Sequence, residues 1–206
     1  MKQLLVPAVL LVVASGSLAF GAGCSSGSSS SSSMSGPHLD HLGKVPDFAL
    51  RDQTDSPATL ANLAGDIWMA DFMFTSCPDI CPTLSARMAT VAAKYEKQEN
   101  VKFVSFSVDP GTDTPAKLAD YGARFGAKYP TWRFLTGETK EMRRVVVDGF
   151  KLLMEKAPAT DTQPETILHG SRFLLVDGTG EIRAYPDPKA PGELEAYMDL
   201  LLAEGR

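Results

Sequence analysis

An α/β fold with a central mixed sheet flanked by helices is what this 206-residue sequence predicts. Three observations carry it. Two near-continuous apolar runs, "IWMADFMF" at 67–74 and "VKFVSFSV" at 101–108, have the texture of strands buried on both faces. Each is followed by a stretch whose apolar residues recur at helical spacing. Late in the chain "SRFLLV" and "EIRAY" flank "DGTG", the pattern of an antiparallel hairpin, and an amphipathic helix closes the sequence.

From about Pro37 the texture is globular. "DFAL" predicts a short strand, and Thr59–Leu63 a turn of helix. After the run at 67–74, "PTLSARMATVAAKYEKQ" places Leu84, Met88, Val91, Ala92 and Tyr95 on one helical face. Pro82 suits the first position of that helix, where a missing N–H costs nothing. In "TPAKLADYGARFG" Thr114 reads as N-cap, Pro115 as the first helical residue and Gly126 as the stop. Residues 139–148, "TKEMRRVVVD", predict a third helix, and a loop rich in Pro, Thr and acids runs from about Ala157 to Thr166. The order is strand, helix, strand, helix, helix, hairpin, helix. With a short N-terminal strand extension in front, that is a thioredoxin-like plan.

Residues 1–23 read as a targeting segment. Lys2 precedes the apolar run "LLVPAVLLVV", and small residues lead to "GAGC" at Cys24. This resembles a bacterial lipoprotein signal in which Cys24 is lipidated, although Gly21 stands where that motif usually has Leu. The alternative is an uncleaved anchor, with an apolar run of marginal length broken by Pro7 and Gly16. Both place the domain outside the cytoplasm on a membrane. Residues 24–36, rich in Ser, read as a flexible tether, leaving 37–206 as the folded domain. Lys2 is the only charged residue in the first 23, so the remainder carries 25 acids against 19 bases. That balance disfavours a nucleic-acid role, which needs a basic face.

Cys77 and Cys81, in "FTSCPDICP", are then the only cysteines of the domain. As a structural staple the pair would close too short a loop to stabilise much. The pair straddles a predicted helix start, whose free N–H groups and positive potential are expected to stabilise thiolates. A spacing of four in a helix separates side chains by about 5–6 Å, compatible with a disulfide or with two sulfurs on one ion. Redox catalysis and soft-metal chelation both remain open. Thioredoxin-type reductases place two residues between their cysteines, whereas three stand here, and no proline directly precedes "SRFLLV" where a reductase would have one. Two thiolates with an imidazole favour copper, since zinc usually takes four ligands. His169, just before the hairpin, is either that imidazole or an ordinary loop histidine. His38 and His41 in "HLDH" read as polar linker residues, with a weak second metal site as the alternative. Asp79 complements the helix dipole or adds an oxygen ligand. Met69, Met73 and Met88 fit core packing better than thioether ligation.

"VPDFALRDQ", "FMFTSCPDICP", "SFSVDPGTDTP", "FLTG" and "HGSRFLLVD" occur in that order from about Val45 to Ala184, and together resemble the Sco (SenC) family of copper-binding proteins. The resemblance implies a thioredoxin-like fold tethered on the outer face of a membrane, on the periplasmic side. It implies copper, Cu(I) or Cu(II), bound by Cys77, Cys81 and His169. The sequence departs from the family at Gly170, where Ser or Thr is usual, and at Leu168, where Asp often stands. The implied function is assembly of the dinuclear copper centre of cytochrome c oxidase. The implied partner is the copper-accepting subunit or another periplasmic copper chaperone, with the chain itself a monomer. As a metallochaperone the chain is not an enzyme. The alternatives are a thiol–disulfide oxidoreductase using Cys77 and Cys81 as its redox pair, and a copper or redox sensor. Asp109 and Asp113 are explained by a strand end and a helix cap.

Overall fold

The computed structural model describes residues 36–157, 166–169 and 172–205, with the backbone alone described for 155–157 and 166–169. The signal, the tether and lipidation at Cys24 lie outside the described residues, as does Gly170. In chain order the elements are β1 (Ala49–Asp52), β2 (Pro57–Thr59), a 3₁₀ turn (Leu60–Leu63), β3 (Ile67–Met73) and α1 (Ile80–Lys94). They continue with β4 (Val101–Ser107), α2 (Pro115–Arg124), β5 (Trp132–Thr136) and α3 (Thr139–Arg143), which runs into a π-helical turn at Arg144–Gly149. The last are β6 (Met154–Ala157), β7 (Thr166–His169), β8 (Leu174–Val176), β9 (Ile182–Ala184) and α4 (Glu193–Glu204).

Seven strands form one sheet in the order β2-β1-β5-β4-β3-β8-β9. β3, β4 and β5 are parallel, while β1 and β8 join them antiparallel on the two sides. All seven residues of β3 are buried because strands flank it on both sides and side chains cover both faces. One face carries Trp68, Phe72 and Phe106, packed with Phe150 at ring-centroid distances of 5.2–6.5 Å. Each such ring contributes roughly 1.5–3 kcal/mol of burial. The other face receives α1 through Leu84, Met88 and Val91, and α2 through Leu118 and Tyr121. The three methionines of the sequence prediction, Met69, Met73 and Met88, are at most 1% exposed, as core residues.

The predicted thioredoxin-like plan with its N-terminal hairpin is the observed one. Within the main sheet and its helices, three local expectations differ. α1 begins at Ile80, not at Pro82, so Pro82 is the third helical residue; its missing N–H still falls among the orphan donors of the first turn. β5 is a strand that the apolar pattern of "TWRFLT" did not single out. The segment 139–148 is α-helical only as far as Arg143, and Arg144–Gly149 form a π-helical turn. Thr114 does cap α2, accepting the amide of Lys117 at 3.4 Å. The predicted stop, Gly126, has φ +68°, the left-handed conformation glycine adopts without strain. α4 is clamped to α1 by the Arg87–Glu195 fork, with N–O distances of 2.8 and 2.6 Å.

Candidate metal centre

The chain leaves the buried strand β3 at Met73 and enters α1 at Ile80, and Cys77 and Cys81 lie on either side of that helix start. The amide of Cys77 closes a tight turn onto the carbonyl of Phe74 at 3.2 Å. Cys81 occupies the second position of the helix, where its backbone N–H has no partner within the helix. That amide donates to Sγ of Cys77 at 3.4 Å. The sulfur of Cys77 therefore caps the positive end of α1. Asp79 holds the N-cap position without a side-chain capping bond, and its exposed carboxylate stands at the positive end of the helix dipole.

Neither cysteine is in a disulfide and both are buried, Cys77 at 9% exposure and Cys81 at 0%. The expectation of two thiols with lowered pKa fails at Cys81. Burial pushes its thiol well above the ordinary range, and the hydrogen bond with Cys77 pushes the same way. A backbone hydrogen bond from Phe74 only partly offsets this. The helix end meets Cys77, and desolvation governs Cys81.

The floor of the site contains polar groups that the sequence pattern did not reveal. Asp71 sits within β3, fully buried, opposite Ser105 in the parallel register. Burial pushes its carboxyl up to about 7; Ser105 pulls the other way, yet neither carboxylate oxygen has a well-formed hydrogen bond. Ser105 accepts Nε1–H of Trp132 at 2.9 Å, and Ser85, one turn after Cys81, pairs with the Tyr121 hydroxyl at 2.9 Å. The signal was present: one acid inside an otherwise apolar strand run. Asp113, read as part of a helix cap, instead turns its fully buried carboxylate onto Thr75 and Ser107.

His169 ends β7, opposite Met154 in the β6–β7 ladder. Its backbone thus lies in a two-stranded sheet that the sequence did not predict, and its imidazole lies outside the described residues. Among the described residues no group of three or more His, Cys, Asp or Glu side chains is gathered as a metal cluster. His38 and His41 pair with Asp40 and Glu181, at 3.3 and 3.4 Å, as exposed linker histidines do. The donor set present in the described residues, two adjacent reduced thiols shielded from solvent, suits a soft ion.

A family model described as SCO1/SenC matches residues 38–200. A solved SCO1/SenC family lipoprotein from Bacillus anthracis is 30% identical, with a TM-score of 0.68 over 77% of this chain and 95% of its own. ScoI of Bradyrhizobium japonicum, whose structure has copper bound, is 30% identical, with a TM-score of 0.67 over 77% of this chain and 98% of its own. BsSco, a member of the Sco family of cytochrome c oxidase assembly proteins, is 29% identical, with a TM-score of 0.67 over 81% of this chain and 96% of its own. No helix among the described residues is long and apolar enough to cross a membrane. With the match running through most of the domain and the fold shared with all three structures, this chain belongs to the SCO1/SenC family.

Proposed function

We propose that this protein is a copper carrier, tethered through Cys24 to the extracytoplasmic face of a bacterial membrane, that serves assembly of the dinuclear copper centre of cytochrome c oxidase. Cys77, Cys81 and His169 are its metal ligands in this proposal. The observation that carries it is the reduced, shielded dithiol at the first turn of α1, with the Cys81 amide on the Cys77 sulfur. Two soft thiolates hold Cu(I), and an added imidazole accommodates Cu(II). Cys81 gives up its proton when copper binds. Cys77, the more exposed of the two, faces the acceptor. Copper then passes by ligand exchange to thiolates or imidazoles of the copper-accepting subunit, without release of the free ion. The lipoprotein neighbour and the "GAGC" motif support the tether, and the Ser-rich segment gives the domain reach.

A second reading has its own support in the closeness of the two cysteines at the helix start, where the Cys81 amide donates to Sγ of Cys77 at 3.4 Å. As a reductant, the Cys77 thiolate attacks a partner disulfide and releases one partner thiolate. Cys81 then attacks the mixed disulfide, leaving a Cys77–Cys81 disulfide and a partner dithiol, two electrons having moved to the partner.

His169→Ala separates the two. A copper carrier loses tight Cu(II) binding and the intense thiolate-to-copper absorption in this variant. A reductase keeps its disulfide-reducing activity in His169→Ala and loses it in Cys77→Ser or Cys81→Ser. Unchanged Cu(II) affinity in His169→Ala contradicts the three-ligand site.

A further inference from the structure

We infer that Asp113 is a positioning residue for the dithiol, acting through Thr75; in its copper-binding aspect this rests on the ligand assignment proposed above. The loop from Met73 to Ile80 must hold two sulfurs in one geometry, and most of its ties are local. Cys77 N–H reaches Phe74 O three residues back, and Cys81 N–H reaches Sγ of Cys77 four residues back. A longer-range tie comes from 38 residues away. Thr75 donates its hydroxyl to Oδ1 of Asp113 at 2.5 Å, and its backbone N–H to both carboxylate oxygens at 3.2 Å. The parallel ladder of β3 with β4 has just ended, with Val108 N–H on Met73 O at 2.9 Å. Thr75 N–H thus has no strand to pair with, and the carboxylate takes the place of one.

The anchor is itself rigidly held. Oδ2 of Asp113 accepts the Ser107 hydroxyl at 2.6 Å, and Ser107 Oγ in turn accepts the amide of Asp109 at 3.1 Å. The backbone N–H groups of Thr112 and Asp113 both donate to Asp109 O at 2.9 Å, and α2 starts immediately after at Pro115. Asp113 is 0% exposed, so these charge-assisted bonds are shielded from water. Through it the strand end, the β4–α2 turn and the start of α2 all bear on a residue two positions before Cys77. An anchored loop meets a metal or a partner thiol already ordered, and loss of the partners that orient ligands typically costs 10–100-fold in metal affinity.

The test uses the full chain in detergent with four variants: Asp113→Asn, Thr75→Val, Thr75→Ser, and the Asp113→Asn/Thr75→Val pair. Two quantities are read, Cu(II) affinity with its thiolate absorption band, and the reduction potential of the Cys77–Cys81 couple equilibrated with glutathione. In that equilibration two glutathione thiols are oxidised to their disulfide as the protein disulfide becomes a dithiol. The anchor is made with both thiols free, so its loss disfavours the dithiol. Asp113→Asn and Thr75→Val should each lower the potential by the equivalent of about tenfold, about 30 mV for two electrons. Each should weaken Cu(II) binding by about tenfold or more and move the band. Thr75→Ser, which keeps the hydroxyl, should match the unmodified protein, and the pair should be no worse than Asp113→Asn alone. If Asp113→Asn lowers only the unfolding midpoint, with potential and copper affinity unchanged, Asp113 merely holds its own turn and the inference is overturned. Should Asp113→Asn not fold, the contrast of Thr75→Val with Thr75→Ser decides by the same criteria. The potential is measured without copper, so a protein that takes no metal refutes the ligand assignment while the anchor is still decided by the potential.

Discussion

Asp71 is the residue at which sequence and environment conflict most sharply. It stands in the centre of a strand whose seven residues are all buried, and burial raises its carboxyl from 3.8 to about 7. A carboxyl raised in the folded state favours folding while protonated. That contribution is fully present below about pH 4 and is lost as pH rises through about 7. The interval corresponds to an upper limit on the order of 4 kcal/mol. Asp71→Asn removes the ionisation, so its stability relative to the unmodified reduced protein should improve from pH 5 to pH 8. Urea unfolding midpoints at the two pH values check this, and a difference between the proteins that does not change with pH contradicts it. The cysteines were legible at this scale because their spacing and the helix start are local features. The elevated thiol of Cys81 was not, since it depends on what α1 packs against. Asp113 was equally hidden: its partner Thr75 is 38 residues distant, and no periodicity reports a contact of that range.

Among the elements, those with strong periodic or continuous apolar character were readable, and those completed by neighbours were not. β3, β4, α1, α2 and the β8–β9 hairpin follow from their own sequences. β5 does not, because its five residues include Arg133 and are bounded by loops. It exists through its partners: Phe103 and Trp132 stand opposite each other in the β4 ladder. On the other side, the Gln53 side chain stands in for a strand where β1 has ended. It donates to Trp132 O at 3.1 Å and accepts Phe134 N–H at 2.9 Å. α2 covers this strand at close range through Gly122, where a Cβ would come within 2.7 Å of the Phe134 ring. Gly122→Ala gains about 1 kcal/mol in helix propensity and is opposed by overpacking of about 1–3 kcal/mol. A net loss of about 1 kcal/mol in urea unfolding is expected. A stabilised variant would mean that the ring moves aside freely.

The whole molecule combines a shielded dithiol with a fold shared with proteins at 29–30% identity, and the proposed tether adds an N-terminal segment whose sequence resembles a lipoprotein signal. Its 25 acids against 19 bases beyond residue 23 disfavour a nucleic-acid partner. The fold class followed from element order, and the family from motifs spread from Val45 to Ala184. The third ligand is the part of the site that rests on the resemblance, because His169 is 88 positions from Cys81 and its partners depend on tertiary packing. The dithiol is proposed as a copper site. Titration of Cu(II) into the reduced full chain in detergent, followed by absorption, tests it directly. One equivalent bound with an intense thiolate-to-copper band, lost in both Cys77→Ser and Cys81→Ser, is the predicted result. A reduced protein that binds no stoichiometric copper, or binds it with neither band nor dependence on the two cysteines, would contradict the account.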